Sequence, residues 1–356
     1  MNIQPIKDFY SNKKVLITGH TGFIGSWLTK WLTMLDAEVC GYSIDTPSRP
    51  NMYDLLNLGD SVVDIRGDIR NREAVQKAML NFNPEIVFHL AAQPIVFESY
   101  DDPVETFDIN VTGTVNILNE LTRSKSVRTI TVVTSDKSYH NNEWVYPYRE
   151  VDPLGGKDPY SASKSCQDIV VDSFRDSFFK EQGVGISSIR AGNVIGGGDF
   201  AKYRIVPDIV RAISNDDILR VRNPDSVRPW QHVLEPISGM MLLTKRMYED
   251  TNFSGSWNFG PDSLVAKTVK ELVEKFIYYY GKGNYKIQNS QSFKESSYLQ
   301  IDVSKAKRVL NWKPCLDFDK TVKKTVEWYK IFLNNQTDLN KITERQINEY
   351  ANCSEQ

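Results

Sequence analysis

Lys14-Val15-Leu16-Ile17-Thr18 runs straight into Gly19-His20-Thr21-Gly22-Phe23-Ile24-Gly25, and then into a segment that carries Leu28, Trp31, Leu32 and Leu35 at helical spacing. A short β-branched run, a glycine-rich turn and an amphipathic helix in that order form the opening of a nucleotide-binding βα unit. The glycines let the backbone turn tightly and approach a pyrophosphate, and the helix start offers it free N–H groups and a positive dipole end. Three spaced glycines alone are a weak signal, and a tight βα turn without any ligand is the alternative. The strand-to-helix frame is what favours a dinucleotide.

Further runs of the same kind follow. Glu38–Ser43, Val62–Arg66, Glu85–His89, Arg128–Thr134 and Ile186–Arg190 read as strands, and the segments at about Arg72–Asn81 and Val104–Ser124 read as helices. Strands alternating with helices predict an α/β fold, a Rossmann-type doubly wound parallel sheet. Ligands on such sheets bind beyond the carboxyl ends of the strands. That rule gathers Gly19, Thr21, Gly22, Phe23, Ile24 and Gly25 with Asp68 and Ile69, Leu90, Ala91 and Ala92, and Ser135, Asp136 and Lys137 around one crevice. At the end of the second strand Ser43 stands where an acid is expected to hold the adenosine ribose, Asp45 follows two residues later, and Arg49 is near enough to meet a 2′-phosphate. The segment leaves NAD and NADP both open.

Tyr160 and Lys164 stand four residues apart at the start of a segment that reads as helical to about Phe179, and so share one face. An ammonium beside a phenol favours the phenolate, which predicts a lowered Tyr160 pKa and a tyrosine able to trade protons with a substrate hydroxyl. The polar, aromatic stretch Ser138–Pro159 is long for a structureless connection and reads as a functional loop. Beyond Arg190 the alternation decays into loops that carry Asn193, Arg204 and Arg228 with glycines and aromatics. Arginine forks suit a diphosphate and aromatic faces suit a base. The division expected is 1–190 for the dinucleotide domain, 191–335 for a smaller mixed substrate-binding subdomain interleaved at the boundary, and 336–356 for a polar tail, either a peripheral helix or partly disordered.

With 356 residues and a net charge of -2, the chain has material for a sizeable core and no basic footprint for nucleic acid. No apolar run suffices to cross a membrane, and the first residues lack a secretory core, so a cytoplasmic location is expected. Four scattered cysteines and four histidines at no ligand spacing predict reduced thiols and no structural metal.

These motifs resemble the extended short-chain dehydrogenase/reductase family, and within it the nucleotide-sugar 4,6-dehydratases, nearest the branch acting on CDP-glucose. The resemblance covers nearly the whole chain. It rests on Gly19-His20-Thr21-Gly22-Phe23, Leu90-Ala91-Ala92-Gln93-Pro94, Thr134-Ser135-Asp136-Lys137, Tyr160-Ser161-Ala162-Ser163-Lys164, the run from Arg190 to Asp199, and Asn223-Pro224 through Arg228 to Pro236. It implies a tightly held nicotinamide cofactor, a Ser135, Tyr160, Lys164 oxidoreductase core, Asp136 and Lys137 as an elimination pair, substrate contacts at Gln93, Asn193, Arg204 and Arg228, and a homodimer formed through the helices near 104–124 and 160–179. Lysine at position 137 is what points to CDP-glucose. For Lys137 to act as base its pKa must fall, by burial and by repulsion from Lys164; a charged lysine that only stabilises an enolate is the rival. The branch usually has Lys at Ile24, Arg at Phe97, Cys at Ser138, Trp at Phe200 and Asp at Tyr203, so the sugar and base are less firmly implied than the reaction. A 4-epimerase, a dehydratase for another nucleotide sugar and a catalytically silent dinucleotide-binding protein are the other readings.

Overall fold

The computed structural model describes residues 3–262, 267–288, 298–334 and 338–353. Seven parallel strands form the central sheet: β1 (Lys14–Thr18), β2 (Glu38–Ser43), β3 (Val63–Arg66), β4 (Ile86–His89), β5 (Thr129–Val133), β6 (Gly185–Ala191) and β7 (Gly255–Phe259), in the order β7-β6-β5-β4-β1-β2-β3. β4 is buried at every position because helices cover both faces, which is why it reads as an unbroken apolar run. The edge strand β3 is largely exposed and carries Asp64 and Arg66. The strand order reverses between β1 and β4, whose registers pair Thr18 with His89. That switch point opens the crevice.

One apolar core lies on each face of the sheet. The helix α1 (Phe23–Met34) buries Trp27, Leu28, Trp31 and Leu32, and Leu35 just past its end is buried too. Trp27 also donates from Nε1 to Gly197 O at 2.9 Å, tying the first helix to the second half of the chain. α2 (Pro159–Phe174) starts at Asp158, whose carboxylate accepts from Ser161 N at 2.9 Å and Ser161 Oγ at 2.6 Å, with Pro159 in the first turn.

The second half is built from α3 (Ile205–Ser214), α4 (Leu234–Glu249) and short strand pairs, two of which hold only two residues per strand: Val194–Ile195 with Gln231–His232, and Val227–Arg228 with Lys267–Thr268. The two halves interleave beyond a simple cut at residue 190, since β7 returns to the sheet edge beside β6. The expected polar tail is in its described part a packed helix, α5 (Leu339–Cys353). It buries Ile342, Ile347 and Tyr350, stacks Tyr350 edge-on to Trp31, and pairs Glu344 with Lys30. Cys315 and Cys353, remote in the sequence, meet there, with Cys353 Sγ 3.8 Å from Cys315 O, and both are free.

The stretch between Ser138 and Pro159 does not line the crevice, contrary to its reading as a functional loop. Tyr139 and Tyr148 stack at 5.2 Å in a small core with Leu299 and Ile301, and Tyr139 donates to Asn258. Buried aromatics make it a structural strap. No helix among the described residues is long and apolar enough to cross a membrane.

Candidate active site

A cavity of about 600 Å³ sits at the carboxyl ends of the strands. Its walls come from the glycine turn, the ends of β2 to β6, the start of α2, and the segments around Asn193, Arg204 and Arg228.

At one end, Gly19 adopts φ +76, and a Cβ there would stand 2.7 Å from Ala91 N; a Cβ on Gly25 would stand 2.1 Å from Gly19 O. Only glycine allows that closeness of turn, helix and β4 loop. Gly22 caps α1 with extended backbone and no side-chain hydrogen bond, which leaves the first N–H groups of the helix available to a ligand. Thr21, Phe23 and Ile24 complete this wall, and Thr21 Oγ1 donates to Asp45 O at 2.7 Å, fixing the end of β2. Asp45, Thr46 and Ser48 line the cavity, whereas Arg49 is not part of the lining. Arg70 donates to Asp68 Oδ2 from Nε at 2.9 Å and from Nη2 at 2.7 Å and to Oδ1 from Nε at 3.1 Å, and the arginine holds that carboxyl below the usual range despite partial burial. Ile69, Leu90, Ala91 and Ala92 form the apolar side. This set fits a dinucleotide: a donor-rich helix start for the pyrophosphate, a carboxylate at one end and apolar walls.

At the other end, Ser135 begins a short 3₁₀ turn, Asp136–Ser138, and its Oγ accepts from Lys137 N and donates to Asp136 Oδ1, both at 3.1 Å. The Tyr160 phenol lines the same wall, near enough to Ser135 for the hydroxyl to draw its pKa down. Tyr160, Ser135 and Asp136 are all buried there. Asp136 Oδ2 has no hydrogen-bond partner among the described residues, and the missing Cβ of Gly192 leaves it room: one there would stand 2.5 Å away. Burial pushes the Asp136 carboxyl up, against the attraction of Lys137 and Arg228. Lys137 is half-buried in the same wall.

The expected lowering of the Tyr160 pKa is reversed. Burial pushes it up to about 12, with Asp136 adding to the rise and the Ser135 hydrogen bond and Arg204 opposing it. Lys164 instead donates from Nζ to Val133 O at 3.2 Å and Gln167 Oε1 at 2.8 Å. Its own pKa falls to about 7, because burial outweighs the pull of Asp168. The i,i+4 rule placed both residues on one face, but Val133 O from the sheet and Gln167 on the same helix decide where the ammonium points.

Asn193, Arg204 and Arg228 line the cavity from the second half. Arg204 pairs with Asp199 at 3.1 Å, and Arg228 is buried, donates to Val227 O and acts on the Asp136 charge. Gln93 is not brought to this wall. Its Nε2 donates to Thr106 Oγ1 at 2.9 Å and its Oε1 accepts from Ile95 N, so its amide holds the β4 loop rather than a ligand. Residues that sequence reasoning did not assign also line the site, notably Arg220, Arg222 and Trp230. Arginines two apart on a short strand were the available signal. Among the described residues no group of three or more His, Cys, Asp or Glu could hold a metal ion.

A family model described as GDP-mannose 4,6 dehydratase matches residues 16–325. The chain belongs to this family. Among curated dehydratases, the CDP-glucose 4,6-dehydratase of Salmonella typhimurium is 43% identical over 98% of this chain and 99% of its own. A probable dTDP-glucose 4,6-dehydratase of Sinorhizobium fredii is 26% identical over 89% and 92%. Among solved structures, the dTDP-glucose 4,6-dehydratase of Bacillus anthracis in complex with NAD superposes with a TM-score of 0.75 at 21% identity, covering 89% of this chain and 96% of the other, which shows the shared fold. Nearly full-length identity at the level of the Salmonella relative supports a nucleotide-sugar 4,6-dehydratase activity.

Proposed function

We propose that this chain converts CDP-glucose to CDP-4-keto-6-deoxyglucose with NAD, by oxidation at carbon 4, loss of water across carbons 5 and 6, and return of the hydrogen to carbon 6. The observation that carries the reading is the open oxygen of Asp136, raised in pKa by burial, beside the Ser135–Tyr160 pair. A carboxyl that burial makes a better proton holder, next to an alcohol-oxidising pair, is what an elimination following an oxidation needs. The bound nicotinamide supplies a reversible acceptor for two electrons and a hydrogen.

Tyr160 takes the proton of the 4-hydroxyl, with Ser135 holding the oxygen in place. The resulting 4-ketone acidifies the hydrogen on carbon 5, Lys137 removes it, and Asp136 protonates the departing 6-hydroxyl as water. Lys164, held by Val133 O and Gln167 Oε1 at the cavity wall, is placed to bind the cofactor. Arg204 and Arg228 bind the diphosphate, and Asn193 contacts the sugar nucleotide. NAD is favoured over NADP because Asp45 lines the ribose end and would repel a 2′-phosphate, while Arg49 stands outside the lining. The outward faces of the helices 103–121 and 159–179 expose Val104, Ile169 and Phe178, which supports a homodimer formed there; the particle mass in solution checks it.

The test is incubation with CDP-glucose and, separately, with the dTDP, GDP and UDP sugars, following the alkaline absorbance of the 4-keto product. CDP-glucose must give the highest kcat/KM. With substrate deuterated at carbon 5, Lys137→Ala must nearly stop exchange of that deuterium while oxidation at carbon 4 continues. Exchange at the parent rate would assign the base elsewhere.

A further inference from the structure

Three side chains that the chemistry does not touch meet at the mouth of the cavity. Phe97 stands on the helix Val96–Asp101 that follows the β4 loop, and Tyr203 precedes Arg204 at the entry to α3. Their ring centroids lie 5.2 Å apart with planes tilted by 32°. The Arg222 guanidinium, just past the strand Ile218–Val221, lies 4.5 Å from the centre of the Phe97 ring. All three line the cavity. Phe97 belongs to the sheet-bearing half, whereas Tyr203 and Arg222 belong to the other, so the contact spans the cleft.

Tyr203 is 50% exposed, so the contact lies at the opening, with the fully enclosed Ser135 and Asp136 behind it. It also holds φ +63, in the left-handed region that bulky residues rarely adopt. Such a conformation persists where neighbours over-determine it. Here the contact with Phe97 holds the ring, and the Arg204–Asp199 pair brackets Tyr203 along the chain.

The reaction gives such a contact a task. Once carbon 4 is oxidised, the sugar is a ketone and its two electrons and hydrogen reside on the dinucleotide. Loss of the sugar at that moment leaves a reduced dinucleotide and a released ketone that still has its 6-hydroxyl, and the enzyme cannot start another cycle. No covalent bond to the chain holds the sugar meanwhile. Retention comes from the contacts to the nucleotide and from whatever closes the mouth over the sugar.

We propose that the stack of Phe97 and Tyr203, braced by Arg222, is a clasp that retains the oxidised sugar until the hydrogen has returned to carbon 6, and whose opening releases product. This rests on the dehydratase reading above. Aromatic and cation–ring contacts of this size suit the task, since they favour closure yet open within a turnover.

The experiment loads the holoenzyme with CDP-glucose, filters off the free sugars, reduces them with borodeuteride to mark ketones at carbon 4, and sorts them by mass into those that kept the 6-hydroxyl and those that lost it. Phe97→Ala and Tyr203→Ala are each expected to raise the 6-hydroxyl fraction at least about tenfold over the parent, and to speed release of the CDP-linked product by a similar factor. Phe97→Tyr should restore both to near the parent level. Arg222→Gln, which keeps the ring pair, should leak by a smaller factor and serves if an alanine variant folds poorly. If the parent makes the 6-deoxy ketone and neither alanine variant leaks more nor frees the CDP-linked product faster, the clasp is refuted while the function stands. Equal leakage from Phe97→Tyr and Phe97→Ala also refutes it. A parent that makes no 6-deoxy ketone removes the dehydratase reading, and the retention role with it.

Discussion

Asp136, on the cavity floor, and Glu235, at the start of α4, are both buried carboxyls, and burial raises the pKa of both, that of Glu235 to about 7. They differ in how their oxygens are used. Glu235 Oε1 accepts from Cys315 N and Leu316 N at 2.9 and 2.7 Å, and Oε2 from Tyr350 OH at 2.6 Å, so it binds the loop before residue 318 and the helix α5 to α4. Asp136 binds Ser135 through one oxygen and leaves the other without a partner among the described residues. A shifted pKa therefore does not by itself mark a catalytic acid. An open lone pair beside a cavity does, because a substrate can complete what the fold leaves undone.

Four substitutions separate these two regions. Tyr160→Phe is expected to have the largest effect, lowering kcat by at least about a hundredfold while NAD still binds, as judged by cofactor retention on gel filtration. Near-parent turnover would take the phenol out of the reaction. Asp136→Asn should lower formation of the 6-deoxy product by about a hundredfold and leave carbon 4 oxidation in place, with an unchanged or higher Tm, since a buried carboxyl is replaced by a neutral amide.

Glu235→Gln should do the reverse, sparing kcat and changing the pH dependence of stability. The folded protein keeps the Glu235 proton up to about pH 7, whereas an unfolded chain loses it near pH 4.5. The native state thus binds more protons between those values, and stability falls as pH rises through that window, by roughly 3 kcal/mol for a shift of this size. Urea titrations at pH 4.5 and 7.5 should show that loss in the parent and not in Glu235→Gln. An identical slope in both would mean that other groups govern it. The smallest effect is expected at Arg228→Ala: KM for the sugar nucleotide rises about tenfold and kcat falls less, because a diphosphate contact is made equally in ground and transition states. A fall confined to kcat would instead assign Arg228 to holding the Asp136 charge.

The sequence by itself determined the sheet, the cradle and the chemistry-bearing types. Parallel strands buried on both faces must be apolar runs, so Leu16, Val87 and Ile130 announced their strands. A turn that brings a Cβ position within 2.1 Å of a carbonyl oxygen admits only glycine, so Gly25 announced the cradle. Tyr160 and Lys164 came from their spacing, Ser135 and Asp136 from their place beyond the end of a strand, and all four line one cavity.

Only the tertiary structure decided the rest. Strands of two residues, such as Val227–Arg228, have no period to detect, and β7 joins the sheet from 64 residues beyond the end of β6. The sequence around Gln93 does not indicate that its amide reaches Thr106 as well as Ile95, nor that around Lys164 that its ammonium turns to Val133 on the sheet as well as to Gln167 on its own helix. The tail 338–353 is polar on average, yet its helix buries Tyr350 against Trp31 and Glu235. Periodicity and backbone sterics are local, so a single chain segment displays them. Hydrogen-bond partners, burial and the pKa shifts that follow depend on which distant segments arrive, and that is set only when the chain has folded.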